Sequence, residues 1–182
     1  MTEKDGIYTM SVINEDILRV LTTRVLPGRD GMLSAFNKAS ESVDLFLYVL
    51  KSFKQLSPKS VGIIHESALQ IAASTGLMEA IHILLSEESV DVACGNNCAL
   101  RYASEFGHLD LVNLLLTRDD WKTKVDPTAV RNYAVQKAFA NGHVRILKLL
   151  MNDPRVVRKL GPKVRETYTK KMNEPLRPSY KK

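Results

Sequence analysis

Hydrophobic residues in the middle of the chain form two helical stripes separated by a glycine. Ala99, Leu100 and Ala103 lie at i, i+1 and i+4, which places them on one side of a short helix. A second stripe, at i, i+3, i+6 and i+7, follows Gly107 and consists of Leu109, Val112, Leu115 and Leu116. Glycine takes the left-handed conformation that ends many helices at little cost. The pattern therefore predicts two helices that run back along each other and must stack on a neighbouring pair to bury their remaining apolar faces.

The same pattern occurs three times, in residues 67–76, 98–107 and 133–142. Each segment has alanine at its second and sixth positions, ends in glycine and leads into an apolar stretch. The glycines are 31 and 35 residues apart. A period in this range is typical of stacked supersecondary units. Such stacks usually present a binding surface and seldom build a catalytic pocket.

Less regular segments flank the three copies. Residues 35–50 keep the Ala-Phe-x-x-Ala spacing and a second apolar stripe but lack the glycine, which predicts a degenerate fourth helix pair. Residues 14–26 predict a helix with Asn14 as its N-cap. Residues 163–173 predict a basic C-terminal helix, preceded by Pro162 at a first helical position. We expect an N-terminal cap over residues 1–30, a repeat stack over 31–160, and a basic helix with a disordered end over 161–182.

Two ten-residue segments, 107–116 and 142–151, point to a known family. Together with the repeated Ala-Leu-x-x-Ala spacing and the Val-Asp turns at Val90 and Val125, they resemble the ankyrin repeat. The resemblance is clear over residues 66–157 and degenerate over 31–65. It implies an all-α, ankyrin-type repeat solenoid of helix pairs joined by short hairpin loops. The chain departs from the family pattern where Leu77 replaces a histidine and where residues 117–124 carry four extra positions.

The resemblance also implies where a partner would bind, because the concave side of such a stack comes from hairpin tips and first helices. The matching residues of this chain are Asn96, Asn97, Tyr102, Glu105, Phe106, Arg131, Asn132, Lys137 and Asn141. Tyr102 and Phe106 are four positions apart on one helix face, although Phe106 has the alternative of packing on the next helix pair. Trp121 lies in the insertion and is a further candidate, since indoles are enriched at binding hot spots. Its alternative is to cover its own helix pair.

Charge is distributed unevenly along the 182 residues. Residues 155–182 hold ten basic and two acidic side chains, a balance of +8, so the net charge of +6 leaves −2 for residues 1–154. The repeat body is therefore unlike a basic nucleic-acid-binding domain. The basic end is expected to be a solvated terminus, with contact to nucleic acid, contact to an anionic membrane surface, or nuclear localisation as alternatives.

The sequence favours a monomeric, cytoplasmic protein, with a nuclear location as the alternative. No apolar run reaches the length of a membrane span, and the first residues lack the layout of a secretory signal. Cys94 and Cys98 are expected to be free thiols, and a zinc site would need further ligands. The resemblance places His108 and His143 at the starts of second helices, where an imidazole can bond a neighbouring loop.

The sequence has no phosphate-binding glycine loop and no paired-carboxylate motif, so we expect neither an enzyme nor a cofactor. The predicted function is non-catalytic binding of another protein through the concave face and hairpin tips. The alternatives are nucleic-acid contact through the tail and a ubiquitin-ligase adaptor. The adaptor interpretation depends on residues 13–36, which weakly resemble an F-box but lack its opening Leu-Pro and its later Trp.

Overall fold

The structure is a computed structural model that describes residues 23, 25, 27–118 and 123–173. These residues form ten α-helices and no strand, and the first eight helices make four successive pairs. The pairs are α1 (Arg29–Ala39) with α2 (Val43–Leu56), α3 (Val61–Thr75) with α4 (Met78–Ser86), α5 (Cys94–Phe106) with α6 (Leu109–Thr117), and α7 (Ala129–Ala140) with α8 (Val144–Met151). Two further helices, α9 (Pro154–Lys159) and α10 (Pro162–Asn173), follow the stack, and a single 3-10 turn (Pro58–Ser60) precedes α3.

The first helix of each pair packs against the first helix of the next, α1 on α3, α3 on α5 and α5 on α7. The repeated alanines of these helices are buried: Ala68, Ala72, Ala99, Ala103, Ala134 and Ala138. A methyl side chain lets two helix backbones approach closely, so the alanine spacing sets how tightly the repeats stack. The structure therefore confirms the predicted all-α repeat solenoid.

The degenerate first pair has an aromatic core of its own. The ring of Phe36 lies 5.0 Å from that of Phe46 and 5.3 Å from that of Phe53, and all three side chains are fully buried. Tilted and edge-on ring contacts at these distances are favourable geometries for aromatic pairs. The three rings fill the space between α1 and α2, in a pair that lacks the glycine and the Leu-Leu pair of the later repeats.

A histidine links each of the last two pairs to the pair before it. His108 Nε2 is 2.9 Å from the carbonyl oxygen of Ser74, and His143 Nε2 is 3.0 Å from that of Glu105. Gly107 ends α5 in the left-handed conformation, with φ +89°, and a Cβ there would lie 2.7 Å from Cε1 of His143. Glycine therefore provides both the turn and the space for the imidazole. The two histidines thus have a structural role as predicted, although their partners lie in the last turns of α3 and α5 and not in loops.

The first turns of α5 and α7 form the hairpin tips and contain three successive left-handed residues, at positions 95–97 and 130–132, after which the right-handed helix begins. Asn97 and Asn132 end these runs and are only 7% and 6% exposed. The Oδ1 atom of Asn97 accepts a 2.8 Å hydrogen bond from the backbone N–H of Asp126, which belongs to the next hairpin. Asparagine tolerates left-handed φ values better than most residues. Both asparagines thus belong to the buried base of a hairpin tip, and Asn97 also connects its tip to the next one.

The C-terminal helices cover the end of the stack. Tyr168 of α10 is buried, with its ring 4.6 Å from that of Phe139 in α7. Arg155 and Lys159 of α9 reach the last hairpin, where Arg155 donates to the carbonyl of Val125 at 3.2 Å and Lys159 donates to the hydroxyl of Thr128 at 2.6 Å. The predicted basic C-terminal helix is therefore present and is anchored by one aromatic residue.

Three of the predicted features lie outside the described residues. They are most of the N-terminal helix predicted over residues 14–26, the indole of Trp121, and the end of the chain over residues 174–182. Of the helices that are described, none is long and apolar enough to cross a membrane.

Candidate functional site

Glu105 lies at the centre of a hydrogen-bonded group on the first helices of the last two pairs. Its carboxylate accepts a 2.6 Å bond from Lys137 Nζ and a 2.8 Å bond from the hydroxyl of Tyr133. Its backbone carbonyl accepts a 2.7 Å bond from the Asn141 amide. Three of the predicted residues, Glu105, Lys137 and Asn141, therefore meet in one place, and Tyr133 joins them.

Arg101 lies one turn before Glu105 on α5 and is fixed by four contacts. Its Nε donates to the carbonyl of Asn96 at 3.1 Å, and its Nη2 donates to the carbonyl of Gly95 at 2.9 Å. Its guanidinium carbon lies 5.5 Å from the ring centre of Tyr102 and 5.2 Å from that of Tyr133, within the range of cation–π attraction. We call Arg101, Tyr102, Glu105, Tyr133, Lys137 and Asn141 the α5–α7 cluster.

The ionisation of the cluster follows from these bonds. Burial alone would raise the pKa of Glu105, but the hydrogen bonds from Lys137 and Tyr133 outweigh it and hold that pKa below its ordinary value. The bond to Glu105 raises the pKa of Lys137. Burial, together with the bond to Glu105, raises the pKa of Tyr133. At neutral pH, Glu105 and Lys137 are thus an ion pair, Tyr133 is a neutral donor, and Arg101 leaves the cluster with one positive charge.

Phe106 and Tyr102 lie four positions apart on α5, and we call these two rings the aromatic edge. Phe106 is 53% exposed, while Tyr102 is partly buried and packs against the core. The alternative in which Phe106 packs on the next helix pair does not account for a side chain that is more than half exposed. A large apolar ring in this position is available for contact with another molecule.

The hairpin tips divide the remaining predicted residues into two classes. Asn96 and Arg131 are exposed at the tips, whereas Asn97 and Asn132 are buried beneath them. The carbonyl of Arg131 accepts a 2.8 Å bond from Gln136, which repeats the contact that Arg101 makes with Asn96 five positions earlier. Of the four predicted hairpin residues, only Asn96 and Arg131 can therefore be reached from solvent.

Sequence reasoning missed Arg101 and Tyr133. Both belong to the repeated ten-residue segments, and two spacings could have identified them. Arg101 lies four positions before Glu105 and Tyr133 four positions before Lys137, which places each pair of side chains on one helix face. The signal that these faces meet each other comes from the stacking of α5 on α7.

Other features of the described residues offer less chemistry. No group of three or more His, Cys, Asp or Glu side chains in this part of the chain could hold a metal ion. Cys94 and Cys98 are free thiols. A groove of about 470 Å³ lies between α2 and α4 and is crossed by a 2.5 Å ion pair between Lys54 and Glu87. Its walls belong to the second helices, so it is separate from the α5–α7 cluster.

The fold and this surface together define a class, a stacked helical-repeat protein with a polar and aromatic face on its first helices. A family described as ankyrin repeats (3 copies) matches residues 32–129, more than half of the chain. The chain belongs to the ankyrin-repeat family. The match begins in the degenerate first pair and ends at the start of α7, although α7 and α8 repeat the buried alanines and the histidine link of the pair before them.

Ankyrin repeats are generally modules that bind other proteins, and the family is typically non-catalytic. No curated protein and no solved structure gives a significant match to the chain.

Proposed function

We propose that this chain is a non-catalytic protein-interaction module, monomeric and cytoplasmic, which binds a partner protein on the concave face of its repeat stack. The contact surface comprises the α5–α7 cluster, the neighbouring ring of Phe106, and the exposed hairpin residues Asn96 and Arg131. The observation that supports it best is the exposed Phe106 ring beside a network of fixed polar groups. The general role of ankyrin repeats agrees with this proposal.

The fixed geometry of the cluster favours binding. Lys and Arg side chains normally lose considerable rotamer freedom when a partner immobilises them. In this chain, Lys137 is already held by Glu105, and Arg101 is already held by two backbone carbonyls. Association therefore costs less conformational entropy than it would at a surface with mobile side chains.

Paired aromatic substitutions test the proposal. Truncation of a hot-spot aromatic residue typically costs about 2 kcal/mol or more, which corresponds to roughly thirtyfold in affinity. The variant Tyr102→Ala with Phe106→Ala should therefore lose its captured partner in a quantitative binding assay. Because Tyr102 is partly buried, thermal unfolding must show that this variant stays folded, and Phe106→Ala alone should produce part of the loss.

Tyr48 provides the matched control. It is an aromatic side chain of α2 with 45% exposure, close to that of Phe106, but it lies on a second helix of the first pair. Tyr48→Ala should leave partner affinity unchanged. If Phe106→Ala binds as tightly as the unaltered chain while Tyr48→Ala does not, the partner surface lies elsewhere.

The basic end of the chain supports a second candidate function, contact with nucleic acid. Lys163, Arg165 and Lys170 of α10 are exposed, and Tyr168 is the buried residue that anchors this helix. Deletion of residues 163–182 should abolish salt-sensitive nucleic-acid binding if this candidate is correct. Retained binding would exclude it.

For the ligase-adaptor alternative, the segment that resembles an F-box includes Ala35 and Phe36, which are buried within the repeat stack.

A further inference from the structure

Arg101 carries a charge that forms no salt bridge with a carboxylate of the described residues, although it lies near enough to Glu105 to attract it. Two carboxylates occupy the neighbouring first-helix positions, and each already has a cation of its own: Glu105 is paired with Lys137, and Glu66 is paired with Arg29. Arg101 and Arg131 take part in none of the ion pairs found among residues 27–118 and 123–173. Neither arginine therefore has a salt-bridge partner of its own among the described residues.

The guanidinium of Arg101 is also oriented for an anion. Its two hydrogen bonds to Asn96 and Gly95 use two of its five N–H groups, so three remain for a ligand. The rings of Tyr102 and Tyr133 fix its position without neutralising it. An arginine held in this way can bind a carboxylate through two parallel N–H···O bonds, which is the strongest form of this contact.

The aromatic edge adds an apolar requirement. Phe106 lies on α5 four positions after Tyr102, whose ring contacts Arg101, and is more than half exposed, so a peptide segment that pairs with Arg101 can extend along α5 to this ring. An apolar side chain packed on Phe106 would remove apolar surface of both groups from water, which favours binding. A suitable ligand thus combines negative charge with a large apolar side chain.

From this arrangement, and on the basis of the proposed function, we infer that the α5–α7 cluster binds an acidic peptide segment of the partner protein. A partner Asp or Glu pairs with Arg101, and an adjacent apolar side chain of the same segment packs on Phe106. Arg131, exposed on the next hairpin, attracts the same segment through its charge. Charge complementarity selects the partner, and the aromatic edge fixes the position of the segment.

The chain itself supplies the variant that tests this inference. Gln136 occupies in α7 the position that Arg101 occupies in α5, and its amide makes the equivalent bond to the hairpin carbonyl of Arg131 at 2.8 Å. Arg101→Gln should therefore remove the charge and keep the hairpin, which thermal unfolding checks. Arg101→Lys keeps the charge but loses the paired N–H geometry.

The experiment selects short random peptides displayed on phage against the immobilised full-length chain. The selected peptides should be enriched in Asp and Glu relative to the starting library. The best of them should bind Arg101→Gln about tenfold or more weakly, because a hydrogen bond to a charged group is worth about 1.5–3 kcal/mol. Arg101→Lys should recover part of this loss. A peptide in which Asn and Gln replace the acidic residues should bind the unaltered chain more weakly. The Arg101→Gln substitution should not weaken the binding of this neutral peptide any further.

The outcomes separate this inference from the proposed function. Peptides without acidic enrichment that still lose affinity on Phe106→Ala would overturn the acidic-segment inference and leave the proposed binding surface intact. Acidic peptides that bind Arg101→Gln as tightly as the unaltered chain would also overturn it. Peptides that depend on neither Arg101 nor Phe106, or a selection that yields no peptide, would contradict both.

Discussion

Replacing Gly107 by alanine combines two perturbations, a left-handed backbone and a clash with a histidine, which also coincide at Gly76 but not at Gly142. Gly107 has φ +89°, a conformation that L-residues with a side chain seldom adopt. A Cβ at this position would also lie 2.7 Å from Cε1 and 2.9 Å from Nδ1 of His143. The imidazole would have to move, and its 3.0 Å contact with the Glu105 carbonyl would be lost or lengthened.

The expected cost is the sum of these two effects. Left-handed backbone costs a residue with a Cβ about 1–2 kcal/mol relative to glycine. Loss of a typical hydrogen bond costs about 1 kcal/mol more. We therefore expect Gly107→Ala to lower the free energy of unfolding by about 2–3 kcal/mol, a large part of the stability of a small domain.

Urea unfolding of three glycine variants isolates the two contributions. Gly142 has φ +74° but nothing within 4 Å of its Cβ position, so Gly142→Ala should show the backbone cost alone. Gly62 lies in α3 with no positive φ and equally open space, so Gly62→Ala should stabilise the chain by about 0.5–1 kcal/mol. If Gly107→Ala costs no more than Gly142→Ala, the histidine link contributes nothing measurable, and our reasoning about the junction between repeats is wrong.

Two further predictions concern the hairpins and the cluster. In urea unfolding, Asn97→Ala should lower the free energy of unfolding by about 1 kcal/mol more than Asn132→Ala. The reason is that Oδ1 of Asn97 accepts a hydrogen bond from Asp126, whereas Oδ1 of Asn132 is buried without a partner among the described residues. Equal losses in the two variants would contradict this prediction. Because Glu105 has a lower pKa in the folded chain, its stabilising effect is present at neutral pH and fades as the pH falls below its ordinary pKa of 4.5. Glu105→Gln should lower the free energy of unfolding at pH 7 and make its decline below pH 4.5 less steep. A decline as steep as that of the unaltered chain would show that Glu105 does not stabilise the fold through its charge.

The fold could be predicted from the sequence because the residues that determine the packing of each repeat lie close together in the chain. Alanines such as Ala99 and Ala103 mark where helices approach closely, and Gly107 marks the turn between the two helices of a pair. Periodicity then requires the pairs to stack, since one pair cannot bury its own apolar faces. The first pair is harder to recognise from the sequence because it lacks the glycine and the Leu-Leu pair of the later repeats and has rings such as Phe36 in its core.

The cluster could be predicted only in part, because it depends on contacts between repeats. Glu105 and Lys137 are 32 positions apart and meet only when α5 stacks on α7. In the sequence Arg101 is one more charged residue in a helix, and only the folded stack brings its guanidinium close to the rings of both Tyr102 and Tyr133. The hairpin asparagines show the reverse difficulty. Asn97 has a polar side chain in a turn, which suggests exposure, yet three left-handed residues in succession direct it inward.

Oxidative footprinting of the complex with the captured partner tests the central claim most directly. Hydroxyl radicals modify exposed aromatic rings, and the described residues include two that are similarly accessible, Phe106 on the proposed binding surface and Tyr48 on α2. Binding on the proposed surface should strongly reduce the oxidation of Phe106 and leave that of Tyr48 unchanged. A complex in which Tyr48 is protected and Phe106 is oxidised as fast as in the free chain would contradict the account.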